Sequence, residues 1–391
     1  LYPERLATEL SQTLKSAVSH ALVTMESHVR TPENAEAVLS ADQADLVSIV
    51  RGQIADPHLA NKAKEGRPED IRPCLSCNQM CWGRRYRDYW ISCLVNPSTG
   101  REFEWGGDRF EKTASPQKVL VVGGGPAGLE AARVAAEQGH KVTLTEAPDR
   151  LGGQFRLAGM QPRRGQILDL LDWYARQLEQ LGVEVRLNTF MEAAEISSFS
   201  ADLILLATGS YPPDTGFQKA IPHIEKLPGI EDGGFFSAED VMARRARLGK
   251  RVLILDEGGN WKGCGTALKM AEEGHQVVLI TPDPLVGKEL QRTAADYPLR
   301  QKLAQLGVRF ILESAITHWT TEGAEILSFL DGSTSFVEAD SLVFATPNLA
   351  EDTLARELED SGLKFLNIGD SAGPRQAPFV ISEARCIGPE I

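Results

Sequence analysis

The chain has 391 residues, 42% of them hydrophobic and 24% charged, enough for two or three packed domains. Its net charge of −13, with no basic cluster able to neutralise phosphates, excludes a nucleic-acid partner. No apolar run approaches membrane-spanning length and no signal-peptide layout opens the chain, so no membrane association is expected.

Residues 1–71 read as two β–α units. Ala21-Leu-Val-Thr-Met25 is a short buried strand, and Thr31 to Leu39 a capped helix with Pro32 just inside its start. Ala44 to Ile49 is a second strand, and Asp56 to Lys62 leads into another helical segment. Parallel strands need both faces covered, and a (β/α)8 barrel needs about 250 residues. The expectation is therefore the end of a (β/α)8-type barrel. Either earlier barrel residues precede Leu1, or a partner chain covers this piece.

Residues 72–115 hold Cys74-Leu-Ser-Cys77-Asn-Gln-Met-Cys81, with Cys93 after a loop containing Arg84, Arg85, Tyr86 and Trp90. A tight run of thiolates plus one more distant Cys supplies the converging ligands of an iron–sulfur cage, here a [4Fe–4S] cluster on Cys74, Cys77, Cys81 and Cys93. The basic, aromatic loop would shield and offset its charge. A tetrahedral zinc would use the same ligands, although such sites more often repeat two short Cys pairs. Structural or disulfide cysteines are the third reading. The other two cysteines, Cys264 and Cys386, lie far apart, which points away from a disulfide scaffold and towards a reducing, cytoplasmic setting.

Residues 116–215 together with 350–391 read as a first dinucleotide-binding domain. The apolar strand Lys118-Val-Leu-Val-Val122 runs into Gly123-Gly-Gly125-Pro126-Ala127-Gly128, which opens a helix to about Gln138. A second strand, Lys141 to Thr145, ends at Glu146. A glycine fingerprint between strand and helix, with an acid at the next strand end, allows a tight turn, close approach to a diphosphate and close helix–strand packing. Glu146 would accept from the adenosine ribose. Later pieces are Leu151-Gly-Gly153-Gln154-Phe155, the strand Asp202 to Leu206 with its turn Ala-Thr208-Gly209-Ser210, and Phe365-Leu-Asn-Ile-Gly-Asp370. Together they resemble the flavoproteins with two dinucleotide domains, in which the first holds FAD and the returning Gly-Asp meets the ribityl–phosphate region. The plainer alternatives are a helix cap or turn for Asp370 and a solvated loop residue for Gln154.

Residues 216–349 form an inserted second Rossmann-like unit. Arg251 to Leu255 is its strand, Lys262 to Glu273 its helix and Gln276 to Ile280 its next strand. Where the first unit has its three glycines, this one has Asp256, Gly258 and Trp261, and Asp256 to Gly274 spans two residues more than Gly123 to Gly139. An Asp repels a diphosphate and a Trp cannot replace a close-packing glycine. NAD(P)H or ADP binding here is therefore not the expected state.

Taken in order, Cys74 to Gly100, Gly123 to Gly128, Leu151 to Gln154 and Gly369-Asp370 resemble the trimethylamine dehydrogenase / 2,4-dienoyl-CoA reductase family of iron–sulfur flavoproteins. The resemblance implies an FMN barrel related to old yellow enzyme, a [4Fe–4S] cluster and a two-part flavin and nucleotide domain. Leu151-Gly-Gly-Gln-Phe155 is similar to the FAD-binding branch. The altered second loop is similar to the amine dehydrogenase and N-demethylase branch, which passes electrons to an electron-transfer flavoprotein. The family holds FMN phosphate at Gly-Arg turns. Here the corresponding places read Met25-Glu26-Ser27 and Val50-Arg51. Arg51 could still grip a phosphate or be an ordinary surface residue, whereas Glu26 and Val50 oppose it. FMN is therefore expected on a partner subunit or on barrel residues outside this chain, in a hetero-oligomer with a substrate-oxidising subunit. No catalytic residue is carried over. An NAD(P)H-dependent enoyl reductase and a non-catalytic structural subunit remain as alternatives.

Overall fold

A computed structural model describes residues 3–85 and 87–388; Leu1 and Tyr86 lie outside the described residues. Near-continuous β-branched and leucine runs become strands buried on both faces. Lys118–Val122 is the centre of a five-stranded parallel sheet in the order 365–367, 203–206, 118–122, 141–145, 184–186. One face packs the helices Pro126–Glu137, Gln166–Gln180 and Ala377–Cys386, with Trp173 and Tyr174 buried between them. The other face covers Leu120, Val122, Ile204 and Leu206 with Ile196 and Leu358. Because Phe365–Asn367 pairs with Leu203–Leu206, the last stretch of chain returns to the first sheet after a long excursion.

The excursion contains a second parallel five-stranded sheet, ordered 309–311, 276–280, 251–256, 341–345, 235–237. Helix Trp261–Glu272 covers one face. The other is covered by an antiparallel meander, Ser314–Thr320, Gly323–Ser328 and Thr334–Glu338, through Ile316, Trp319 and Ile326.

The N-terminal segment departs in detail from expectation. Its strands shrink to Thr24–Met25 and Leu46–Val47, which among the described residues pair in parallel with each other alone. A helix, Thr8–Ala17, precedes them, and a short helix, Val50–Ala55, begins at the place of the second turn. A small core, Met25, Val29, Val38 and Ala44, holds the unit. Leu10, Leu14, Leu22 and Val50 are exposed, Leu10 at 75%. Polar ties fix it to the rest: Arg30 reaches Asp169 at 2.9 Å, and Trp173 Nε1 donates to Asp70 O at 3.0 Å. The linker is locked by Asp108, which accepts from Arg72 at 2.5 Å and Arg133 at 3.3 Å. Burial opposes the Asp108 charge, but the guanidiniums of Arg133 and Arg72 hold its carboxyl well below the usual range.

Among the described residues, no helix is long and apolar enough to cross a membrane.

Candidate functional site

The first glycine loop is built by two different constraints. A Cβ on Gly128 would lie 1.9 Å from Gly123 O, and one on Gly123 would lie 2.2 Å from Ala207 O, so these glycines let helix and strands approach. Gly125 is different. Its φ of −74° suits any residue, and an added Cβ would meet nothing within 4 Å. Neither backbone nor neighbours require glycine there; the vacant space opens onto a cavity of about 1670 Å³. Gly125 caps helix Pro126–Glu137 without a side-chain hydrogen bond, so first-turn N–H groups remain for an anion. Pro126 and Ala127 line the same wall. This cradle fits a diphosphate.

The remaining expected residues surround that cavity. Gly124 N–H donates to Glu146 Oε2, and burial raises the Glu146 pKa against that bond. Gln154 donates to Ser210 Oγ at 3.0 Å and accepts from Asn348 Nδ2 at 2.9 Å. Gly153, beside it, also lines the cavity. Thr208 Oγ1 donates to Glu351 O at 2.6 Å, while Gly209 O accepts from Glu351 N at 3.0 Å. Asp370 accepts from Ser210 Oγ and from Arg375 N, each at 3.0 Å. Three distant stretches of sequence thus meet at one wall.

The structure adds residues with no motif to announce them. Lys262 Nζ donates to Asn348 Oδ1 at 2.6 Å and Thr346 O at 2.9 Å, and pairs with Glu239 at 2.8 Å. Lys262, Asn348 and Gln154 bridge the inserted unit to the cavity wall. Asn348 lies 86 positions from Lys262 and 194 from Gln154, beyond any local pattern.

Cys74, Cys77, Cys81 and Cys93 together line a second, smaller cavity of about 20 Å³. Burial pushes the Cys77 thiol up to about 12 and raises Cys74 and Cys93 as well. All four are free, and among the described residues no His, Cys, Asp or Glu trio closes on one ion. Left-handed backbone at Ser76 (φ 53°) and Asn78 (φ 57°) winds the chain around the cavity. Cys77 lines both cavities, as does Arg51. Arg51 donates to Asn78 Oδ1 at 2.7 Å, so it is tied to the cysteine loop rather than free at a strand end. Of the expected aromatic shield, Trp90 is 76% exposed.

The second loop is closed from within. Asp256 is wholly buried and its Oδ1 accepts from Gly258 N at 3.1 Å and Gly259 N at 2.9 Å. Asn260 caps the helix by accepting from Lys262 N at 2.8 Å. A Cβ on Gly263 would lie 2.3 Å from Asp256 Cγ, so the helix leaves room for this carboxyl and no more. Burial pushes Asp256 up to about 7, against the hydrogen bonds from Gly259 and Gly258.

Residues 118–186 match the model of FAD dependent oxidoreductases, and residues 195–370 that of pyridine nucleotide-disulphide oxidoreductases. The chain is 34% identical to NADH oxidase of Thermoanaerobacter brockii over 93% of its length and 54% of that protein's. It is 36% identical to cinnamate reductase of Clostridium sporogenes over 96% of its length, again 54% of the relative's. It therefore spans about half the length of these relatives. The structure of histamine dehydrogenase from Rhizobium sp. 4-9 superposes with a TM-score of 0.92 at 27% identity, covering 100% of this chain and 58% of that one. The open glycine cradle and these matches agree: the chain carries an FAD dependent oxidoreductase domain and a pyridine nucleotide-disulphide oxidoreductase domain, and its homologues are members of the trimethylamine dehydrogenase / 2,4-dienoyl-CoA reductase family.

Proposed function

We propose that the chain relays electrons between a [4Fe–4S] cluster on Cys74, Cys77, Cys81 and Cys93 and FAD on Gly123, Gly125, Pro126, Ala127, Gly128, Glu146, Gly153, Gln154, Thr208, Gly209 and Asp370. The observation that carries this reading is the position of Cys77, whose side of the protein faces the large cavity and also the one lined by all four cysteines. FAD exchanges electrons singly or in pairs and a cluster singly, so side by side they join two-electron to one-electron chemistry. The protein's part is to hold the two sites on either side of Cys77.

In this reading residues 1–71 are a barrel end and 72–115 the cluster segment. Residues 116–215 with 350–391 are the FAD domain, and 216–349 an insert with no nucleotide of its own. Ser27, His28 and Arg51 line the large cavity from the barrel side, which suits FMN carried by a neighbouring subunit or by further barrel residues. The exposed Leu10, Leu14, Leu22 and Val50 suit the same cover. The assembly would be of the amine dehydrogenase or N-demethylase type, as the name of histamine dehydrogenase suggests, and would deliver to an electron-transfer flavoprotein. The names NADH oxidase and cinnamate reductase favour a second reading, an NAD(P)H-dependent enoyl reductase. The carboxyl of Asp256 on the second loop's amides weighs against it.

Anaerobic protein should contain four iron and four labile sulfides per FAD; zinc without iron would overturn the cluster. Titration with NADH should leave the flavin absorbance unchanged, while rapid bleaching would establish the second reading instead.

A further inference from the structure

Arg164 lines the large cavity on the same wall as Cys77 and, among the described residues, has no acidic partner. Its side chain is half-buried, and it lines the large cavity together with Cys77, Phe155 and Ile167. Among the described residues the guanidinium makes no hydrogen bond or ion pair, whereas the adjacent Arg163 turns outward to Glu272 at 2.7 Å. It is instead stacked on Trp261, 4.7 Å from the ring centroid. Enclosure lowers its pKa to about 10, with Cys77 as the one group acting in the opposite direction. Gly165 follows and opens helix Gln166–Gln180 without a side-chain cap, so this wall also presents helix N–H groups.

A half-buried cation without a counter-ion loses part of its hydration at a cost. Trp261 compensates in part and holds the group in place. That Trp stands where the second dinucleotide loop would need a close-packing glycine, so the substitution that spoils one nucleotide site furnishes a stacking platform beside the other.

We propose that Arg164 is an electrostatic tuning residue, whose fixed positive charge holds the negative charge that accumulates on the flavin and cluster sides of the Cys77 wall. The inference rests on the relay reading above. A one-electron exchange across the wall forms and breaks no bond; one negative charge leaves the FAD and arrives on the cluster, or the reverse. A cation in the large cavity beside Cys77 favours the reduced state of the flavin and, through Cys77, of the cluster, and removing it should make the potentials more negative.

The test is a dithionite titration with redox mediators on holoprotein carrying R164Q or R164K. Iron and flavin are assayed first, because their absence from the unsubstituted protein would refute the relay reading itself. R164Q should lower the potential of the flavin or the cluster by at least about 59 mV, a tenfold change in a one-electron equilibrium. R164K should stay near the unsubstituted value. Flavin loss in R164Q with retention in R164K would also support a role for the charge. Unchanged potentials in R164Q, or equal effects of both substitutions, would overturn the proposal.

Discussion

The two strand–loop–helix units of this chain face the same problem and solve it oppositely. Each ends a parallel strand at the N-terminus of a buried helix, where backbone N–H groups need acceptors. In the first, the helix cap is Gly125, which has no side chain and opens onto the large cavity. In the second, Asp256 and Asn260 supply acceptors from within the protein. An open loop leaves its satisfaction to a ligand, while a self-satisfied loop has no such demand. The difference lies in a few side chains, because the sheets and helices around them are alike.

The largest effects should come from separating the two kinds of glycine in the first loop. Gly128→Val places methyl groups where even a Cβ lies 1.9 Å from Gly123 O, and should destabilise the fold by about 3 kcal/mol or more. Gly125→Val should leave the flavin-free protein melting normally yet bind no FAD. Equal melting losses in the two variants, or full flavin occupancy in Gly125→Val, would erase the distinction between a packing glycine and a ligand-facing one.

The second loop makes a pH prediction. Asp256 has an ordinary pKa of 3.8 when unfolded and about 7 when folded, so the native state binds its proton more tightly. Its contribution to stability is fully present below about pH 4 and is lost as pH rises through 7. The change is on the order of a few kcal/mol. Asp256→Asn keeps an acceptor for Gly258 and Gly259 but cannot titrate. Urea unfolding from pH 5 to 8 should therefore show a flatter pH dependence in the variant, and identical slopes would sink the account.

These distinctions were unevenly legible. The strands 118–122, 141–145 and 276–280 could be read at their true limits, because buried parallel strands are uninterrupted apolar runs. Aligning Asp256 and Trp261 with glycines showed that the second loop was altered. It did not show that Asp256 had turned inward to its own amides, which depends on φ and on the space left by Gly263. The meander 314–338 has no such signal, because its cross-strand pairs bury residues only once the parallel sheet is beneath them. Arg164 carried no signal at all. Its meaning comes from Trp261, nearly a hundred residues away, and from the lack of an acidic partner among the described residues.

The smallest effect tests the comparison from both sides. Asn260 accepts from Lys262 N at 2.8 Å, an ordinary helix cap, and Asn260→Ala should cost about 1 kcal/mol in chemical denaturation. The reciprocal change is Gly125→Asn. The extended backbone at Gly125 (φ −74°, ψ −179°) is that of a capping residue, and the space beyond its Cα is free. An Asn there can accept from the same first-turn N–H groups that Asn260 satisfies in the second unit. The flavin-free variant should accordingly gain a few tenths of a kcal/mol, since glycine is already a fair cap. The gain comes from closing the cradle, so FAD affinity should fall in the same protein. Tighter folding with weaker flavin binding would show that the first loop keeps its amides uncapped for a ligand; a variant that loses both, or keeps both, would show that Gly125 is there for some other reason.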